Sequence, residues 1–240
     1  MKLLAKAKRR IGFLTQYRRF ALRNQQQRPE FPANWSDRWA RLDDNTGHLP
    51  FDPHYVYHTA WAARILAETR PSKHIDISSY TYFATIASAF VPTEFYDYRP
   101  ANIKLSNLTC AAADICKLPF ADQSIASLSC MHTVEHIGLG RYGDPLDANG
   151  DRVALSELQR VTAPGGTLLV VVPVGKPRIQ FNAHRIYSPQ MIKAALPELV
   201  LHRWAMLPDD SSNGLYENPS FESALTQNYA CGCFWFRRAT

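Results

Sequence analysis

The run Thr167-Leu-Leu-Val-Val-Val-Pro173 carries no polar side chain after its first residue. Successive residues of a strand point to opposite faces, so a strand of this kind has to be covered on both. That requirement calls for a sheet between two layers of helix, and the rest of the chain supplies the parts in alternation. Apolar or β-branched runs at 74–77, 93–98, 108–112, 125–131, 167–173, 199–206 and 231–237 read as seven strands. Helical patterns at 54–69, 82–90, 151–161 and 188–196 fall between them. The expected fold is α/β: a Rossmann-like, mostly parallel seven-stranded sheet with helices on both faces. Gly165-Gly166 is expected to supply a left-handed turn into the most apolar strand.

Charge divides the chain further. The net charge of +6 comes from 27 Lys/Arg against 21 Asp/Glu, yet residues 1–28 hold nine Lys/Arg and no acid. The remainder is therefore net negative, with 18 basic and 21 acidic residues. A basic face for nucleic acid is missing from that body, and no nucleic-acid partner is expected. Three segments follow: a basic arm at 1–28, a connector and packing helix at 29–69, and the main domain at 70–240. In the arm, Leu4, Ala7, Ile11, Leu14 and Ala21 recur at helical spacing. Such a helix lies on an anionic membrane surface, docks on a protein partner, or packs its stripe on its own domain; the sequence leaves these open. Pro29, Pro32, Pro50 and Pro53 mark the connector as extended, with Phe31, Trp35, Trp39 and Phe51 expected to pin it to the domain. The longest apolar run, 168–172, is far short of the ~18 residues a membrane span needs. No apolar stretch of signal-peptide type follows the basic start. A cytoplasmic protein is expected, peripheral at the inner membrane face if the arm meets lipid. Cys110, Cys116, Cys130, Cys231 and Cys233 are odd in number and have no zinc-knuckle or redox spacing. They read as reduced core thiols, with no metal site expected.

Several motifs fall in order along the alternating pattern. Asp76 lies in the first strand, Asp97 ends the second 21 positions later, and Asp114 follows the third and opens Asp114-Ile-Cys-Lys-Leu-Pro-Phe-Ala-Asp122. The fourth strand runs into His132-Thr-Val-Glu135-His136, and Glu157-Leu-Gln-Arg160-Val-Thr-Ala-Pro-Gly-Gly166 comes later. As an ensemble these resemble the class I S-adenosylmethionine-dependent methyltransferases over roughly residues 70–207. Val134-Glu-His-Ile-Gly-Leu-Gly-Arg-Tyr-Gly-Asp144 and Phe181-Asn-Ala-His-Arg-Ile-Tyr187 resemble, more narrowly, a branch associated with bacterial surface-polysaccharide synthesis.

The resemblance implies a cofactor site at the carboxyl ends of the strands, where open α/β sheets bind ligands. Asp97 would accept the ribose hydroxyls and Asp114 the adenine amino group, with Ile115 and His132 also at the cofactor. The family's first loop, acid-x-Gly-x-Gly, stands here as Asp76-Ile-Ser78-Ser79-Tyr80, so side chains occupy both glycine positions. A Cβ there removes room and left-handed freedom, and Tyr80 would fill methionine space or stack on a base. Glu135, His136 and His184 are the expected acid–base residues for an acceptor hydroxyl. Arg141, Tyr142, Asn182 and Arg185 are the expected acceptor contacts, beside a small cationic group with Lys176 and Arg178. The acceptor would be a small molecule or glycan.

Three other chemistries are weaker. His132-x-x-Glu135-His136 has zinc-peptidase order, but it straddles a strand end rather than lying on one helix face. The 138–151 loop reads as a lid, a binding segment or a disordered stretch, too short in its Asp147-x-Asn149-Gly150 part for an EF-hand. A nucleotide-sugar glycosyltransferase would want an Asp-x-Asp clamp that the chain lacks. A methyltransferase-like enzyme and a non-catalytic relative that binds a glycan, nucleotide sugar or synthesis partner remain the two readings.

Overall fold

The computed structural model describes residues 2–240 and separates two compact units, Met1–Phe51 and Asp52–Thr240. Met1, where the expected arm begins, lies outside the described residues. The first unit is α1 (Lys2–Gln27) followed by an extended segment. The Tyr17 hydroxyl donates to the Ala33 carbonyl at 2.7 Å, and the Trp35 ring packs on Tyr17 and Phe13 at centroid distances of 4.8 and 6.3 Å. Trp35 packs on α1, and Phe31, Trp39 and Phe51 stay exposed. No helix among the described residues is long and apolar enough to cross a membrane.

The second unit opens with α2 (Pro53–Thr69), whose proline sits in the first turn, where it forfeits no helical bond. Then come β1 (His74–Ile77), α3 (Thr81–Ala87), β2 (Thr93–Asp97), β3 (Leu108–Ala112), β4 (Ile125–Met131), α4 (Gly150–Val161) and β5 (Thr162–Val174). A short hairpin of β6 (Arg178–Gln180) and β7 (His184–Ile186) follows, then α5 (Pro189–Ala195), β8 (Leu199–Leu207), β9 (Tyr216–Glu217), α6 (Phe221–Leu225) and β10 (Ala230–Arg238). The main sheet has the order β3-β2-β1-β4-β5-β10-β8-β9. Neighbours from β3 through β5 are parallel, and the pairs beyond β5 are antiparallel. The expected seven strands are thus eight, with the β6–β7 hairpin separate. Two- and three-residue strands are too short to leave a periodic signature.

The doubly apolar strand behaves as its composition demands. Leu168, Val170 and Val172 face α4 and α5, Leu169 and Val171 face α2 and α3, and all five are fully buried. β10 copies this alternation, with Phe234 and Phe236 on one side and Cys231, Cys233 and Trp235 on the other. The left-handed conformation expected at Gly165-Gly166 is present at Gly165, inside β5, where the register to β4 shifts between Ile125 and Ser127. Gly165 has φ +69°, and a Cβ on Gly166 would meet Ala163 O at 2.7 Å. The five cysteines are all unpaired, and Cys130, Cys231 and Cys233 are buried.

Under the carboxyl edge of β1 and β4 runs a fully buried polar chain. Ser129 Oγ donates to the Asp76 carboxylate, so His74 Nε2–H must be what it accepts from, at 2.9 Å. His74 Nδ1 then takes the Ser127 hydroxyl, also at 2.9 Å. Burial pushes the His74 imidazole down to about 3 and the Asp76 carboxyl up to about 6. These shifts act with opposite sign on stability. Neutral His74 stabilises the fold above pH ~6.5, and that contribution is lost as pH falls toward 3, because only the unfolded chain takes the proton. Asp76, raised in the fold, favours folding at low pH and loses that contribution as pH rises through about 6. The stability penalty of His74→Gln, read by urea unfolding, should therefore shrink from pH 7 to pH 5, by at most ~1.4 kcal/mol per pH unit. The penalty of Asp76→Asn should grow over the same interval. Penalties that ignore pH would contradict a neutral imidazole and a proton-holding carboxyl at these sites.

Candidate functional site

Strand order reverses between β1 and β4, and in such sheets the crevice at that point takes the ligand. The loops leaving these two strands are stitched together. Ser79 N donates to Asp76 Oδ1 at 3.0 Å, the Ser79 hydroxyl accepts from Met131 N at 3.0 Å, and Thr133 Oγ1 donates to Ser78 O at 2.8 Å. Ser78 takes φ +57° and donates its N–H to Tyr96 O at 2.7 Å. The backbone therefore keeps a left-handed conformation of the kind glycine favours, with a serine in it.

A cavity of about 360 Å³ lies against this seam, well within the range of small-molecule sites. Asp97, Asp114, Ile115, Ser78 and His132 line it. Asp97 Oδ1 accepts from Arg99 N at 2.7 Å, and Asp114 Oδ1 accepts from Cys116 N at 2.8 Å. Among the described residues neither carboxylate has a partner on its second oxygen. The wall bearing Asp114 and Ile115 is braced from α4. Glu157 accepts from Leu118 N, and Arg160 reaches Glu157, Asp122 and the Phe120 carbonyl, all at 2.7–2.8 Å. The paired motifs of the sequence are thus largely this brace.

A second cavity of about 540 Å³ meets the first at Ser78, His132, His136 and Tyr142. Tyr80, Glu135, Arg141 and His184 line it, joined by His54, Tyr55 and Tyr229. The Tyr80 ring packs 4.9 Å from Tyr55 on the rim of this second cavity and does not line the first. His136 Nδ1 lies 2.6 Å from Ala183 O, an acceptor, so it carries the proton and leaves Nε2 with a lone pair. By the same reasoning His184 donates Nε2–H to Gln180 Oε1 at 2.6 Å. Burial lowers the pKa of both rings, and of His54 to about 4 and His58 to about 3. Burial also opposes protonation of His132, but Cys231 Sγ, 3.5 Å from Nε2, and Glu135 Oε1, 2.8 Å from Nδ1, outweigh it and raise that ring. Glu135 is 1% exposed and its Oε2 has no partner.

Some expected site residues stand elsewhere. Asp76 is wholly buried and lines neither cavity; its carboxylate positions the Ser79 turn. Arg185 is 5% exposed, with its guanidinium on the carbonyls of Ile137, Asp147 and Ala148 and beside Asp151, so it anchors the 137–148 loop instead of meeting an acceptor. Asn182 is exposed at the tip of the β6–β7 hairpin, outside both cavities. Arg178 is held by Asn228. The 138–151 loop is organised around Asp144, which accepts from Gly138 N, Tyr142 N and Gly140 N at 2.8–3.3 Å. Val134–His136 is a single 3-10 turn, so the zinc-peptidase helix is absent there.

Sequence reasoning missed His54, His58, Tyr55, Tyr229 and Cys231. His54 and His58, one turn apart on α2, were one available signal; Cys231 lies 99 residues from His132 and gave none.

Residues 115–198 match a family described as a Caenorhabditis protein of unknown function, DUF268. None of the curated proteins matches the chain in sequence. Solved structures do. N-methyltransferase NodS of Bradyrhizobium japonicum WM9, in complex with S-adenosyl-L-homocysteine, matches with TM-score 0.55 and 15% identity over 82% of this chain and 94% of that one. Geranyl diphosphate C-methyltransferase of Streptomyces coelicolor A3(2), a complex with Mg2+, geranyl diphosphate and S-adenosyl-L-homocysteine, matches with TM-score 0.51 and 13% identity over 75% and 79%. A candidate sarcosine dimethylglycine methyltransferase of Galdieria sulphuraria matches with TM-score 0.55 and 16% identity over 77% and 86%. The chain is structurally similar to class I S-adenosylmethionine-dependent methyltransferases.

Proposed function

We propose that this chain is an S-adenosylmethionine-dependent methyltransferase with its cofactor in the smaller cavity and its acceptor in the larger. The observation that carries this reading is the join of the two cavities at Ser78, His132, His136 and Tyr142, beyond two strand-end carboxylates that each keep one oxygen without a partner. The free oxygen of Asp97 suits a ribose diol, and that of Asp114 an exocyclic amine, with Ile115 against the base. When bound, the cofactor supplies an electrophilic methyl group on a sulfonium. The chain's own task is alignment and exclusion of water, since an in-line displacement gains most from orientation. His136, which lines both cavities and is neutral with a lone pair on Nε2, 3.8 Å from Glu135 Oε1, takes the proton of an acceptor hydroxyl. Phenol and imidazole faces beside the Arg141 guanidinium suit a polyhydroxylated, glycan-type acceptor.

A second reading, a non-catalytic domain that binds a glycan, nucleotide sugar or synthesis partner, is favoured by the side chains of Ser78 and Tyr80 where the resembling family has bare backbone. Calorimetry with S-adenosylhomocysteine separates the two. Micromolar binding is expected, weakened ~10–100-fold by Asp97→Ala through loss of a hydrogen bond to a charged acceptor. No heat at millimolar ligand discards the cofactor and leaves the second reading.

Ser78 gives an independent check on the loop. Ser78→Gly should hold the stability of the parent, whereas Ser78→Val should cost ~1–2 kcal/mol in urea unfolding, since a β-branched residue resists φ +57°. Equal stability of the two variants would contradict a left-handed residue at this position.

The arm is proposed to rest on an anionic lipid surface at the inner face of a membrane. Nine basic residues without an acid support this, as do the exposed Leu4, Ile11 and Leu14 of α1. Near such a surface each basic residue contributes about 1 kcal/mol. Reversing Arg9, Arg10, Arg18 and Arg19 to Glu should abolish pelleting with phosphatidylserine vesicles; unchanged pelleting discards the idea.

A further inference from the structure

Five of the eight histidines in the chain gather at or beside the second cavity: His54, His58, His132, His136 and His184. Three segments remote in sequence meet there. One ligand atom each from His54 on α2, His132 after β4 and Cys231 on β10 lies within 4.8 Å of the others. His132 Nε2 and Cys231 Sγ are 3.5 Å apart. Zinc–nitrogen and zinc–sulfur bonds of about 2.0–2.3 Å place neighbouring tetrahedral ligands roughly 3.3–3.7 Å apart, so this edge is already at its bonded length.

The surroundings of the cluster are those of a metal site. Glu135 Oε1 holds His132 Nδ1 at 2.8 Å, which aims Nε2 at the sulfur; a carboxylate behind a ligating imidazole is the usual means of fixing ring and tautomer. His58, whose ring centroid is 5.0 Å from that of His132, has Nδ1 at 2.6 Å from His54 O. A carbonyl only accepts, so His58 carries its proton on Nδ1 and its lone pair on Nε2. That Nε2 is buried and has no partner. A buried lone pair without a donor carries a desolvation cost that a bound cation, or a water on it, relieves. A second sulfur, Cys233 Sγ, lies 3.9 Å from Cys231 Sγ on the same face of β10.

We propose that His54, His132 and Cys231 bind one borderline-soft divalent transition-metal ion of the zinc class. Two imidazoles and a thiol disfavour magnesium and calcium, which want oxygen ligands. Binding forms two metal–nitrogen bonds and one metal–sulfur bond, and the Cys231 thiol proton leaves to solvent together with any proton on His132 Nε2. Three protein ligands leave a fourth position, and because His54 and His132 line the second cavity, that position opens toward the acceptor chamber. The site is independent of methyl transfer: a chain that binds the ion and gives no heat with S-adenosylhomocysteine keeps this assignment and loses the other.

Cobalt(II) is the probe, added to the reduced, chelator-treated full chain and then displaced by zinc. One equivalent should bind with a thiolate-to-cobalt charge-transfer band and the ligand-field bands of a four-coordinate ion. Cys231→Ser should abolish the charge-transfer band. Glu135→Gln should keep it while weakening affinity ~10–100-fold, as removal of a supporting carboxylate does. His202→Gln should change nothing, since the His202 ring packs edge-on against Trp235 and does not line the cavity. Absence of the band at micromolar cobalt overturns the proposal, as does a band that survives Cys231→Ser in a protein with parental circular dichroism. Should Cys231→Ser fail to fold, His54→Gln decides: parental cobalt affinity in that folded variant also overturns it.

Discussion

The Asp76 carboxylate has no contact with solvent, and its two oxygens are taken by Ser129 Oγ and Ser79 N. Through Ser129 it reaches His74 and the interior of the sheet; through Ser79, whose hydroxyl accepts from Met131 N, it reaches the start of the β4 loop. Both loops that frame the crevice are thereby fixed to one buried charge. A buried carboxylate is costly unless its acceptor capacity is met, and here hydroxyl and amide donors meet it. The left-handed Ser78 is held in the same way, by Tyr96 O on one side and Thr133 on the other. Local backbone strain of this kind persists when the surroundings over-determine it, and it concentrates where ligands bind.

Much of this was legible in the chain for a simple reason. The strand at 125–131 is buried at all but one position, and burial of that kind is written in composition. Asp97 and Asp114 were legible because a strand end is a defined place, and the structure puts both in one cavity. Charge alone does not reveal that the Arg185 guanidinium is occupied by main-chain carbonyls. The Pro164-Gly-Gly166 signal marks a left-handed residue, and Gly165 is one, set inside the strand where the register to β4 shifts. β6, β7 and β9 are too short for periodicity to register.

The histidine cluster is the opposite case. Spacing rules find sites whose residues are neighbours in sequence, such as the His132–His136 pair, and that pair does not share a helix face. His54, His132 and Cys231 come from an N-terminal helix turn, a post-strand loop and the last strand, so only the closed sheet brings them together. The antiparallel insertion of β10 beside β5 is what carries Cys231 to the carboxyl end of β4.

Arg185 grips the loop after His136 by three main-chain carbonyls, at Ile137, Asp147 and Ala148. A carbonyl accompanies every amino acid, so this attachment is indifferent to most of the side chains displayed between those points. Arg141 and Tyr142, which line the second cavity, lie between those points and take no part in the Arg185 grip. What the chamber displays is thereby carried separately from the clasp that closes its wall.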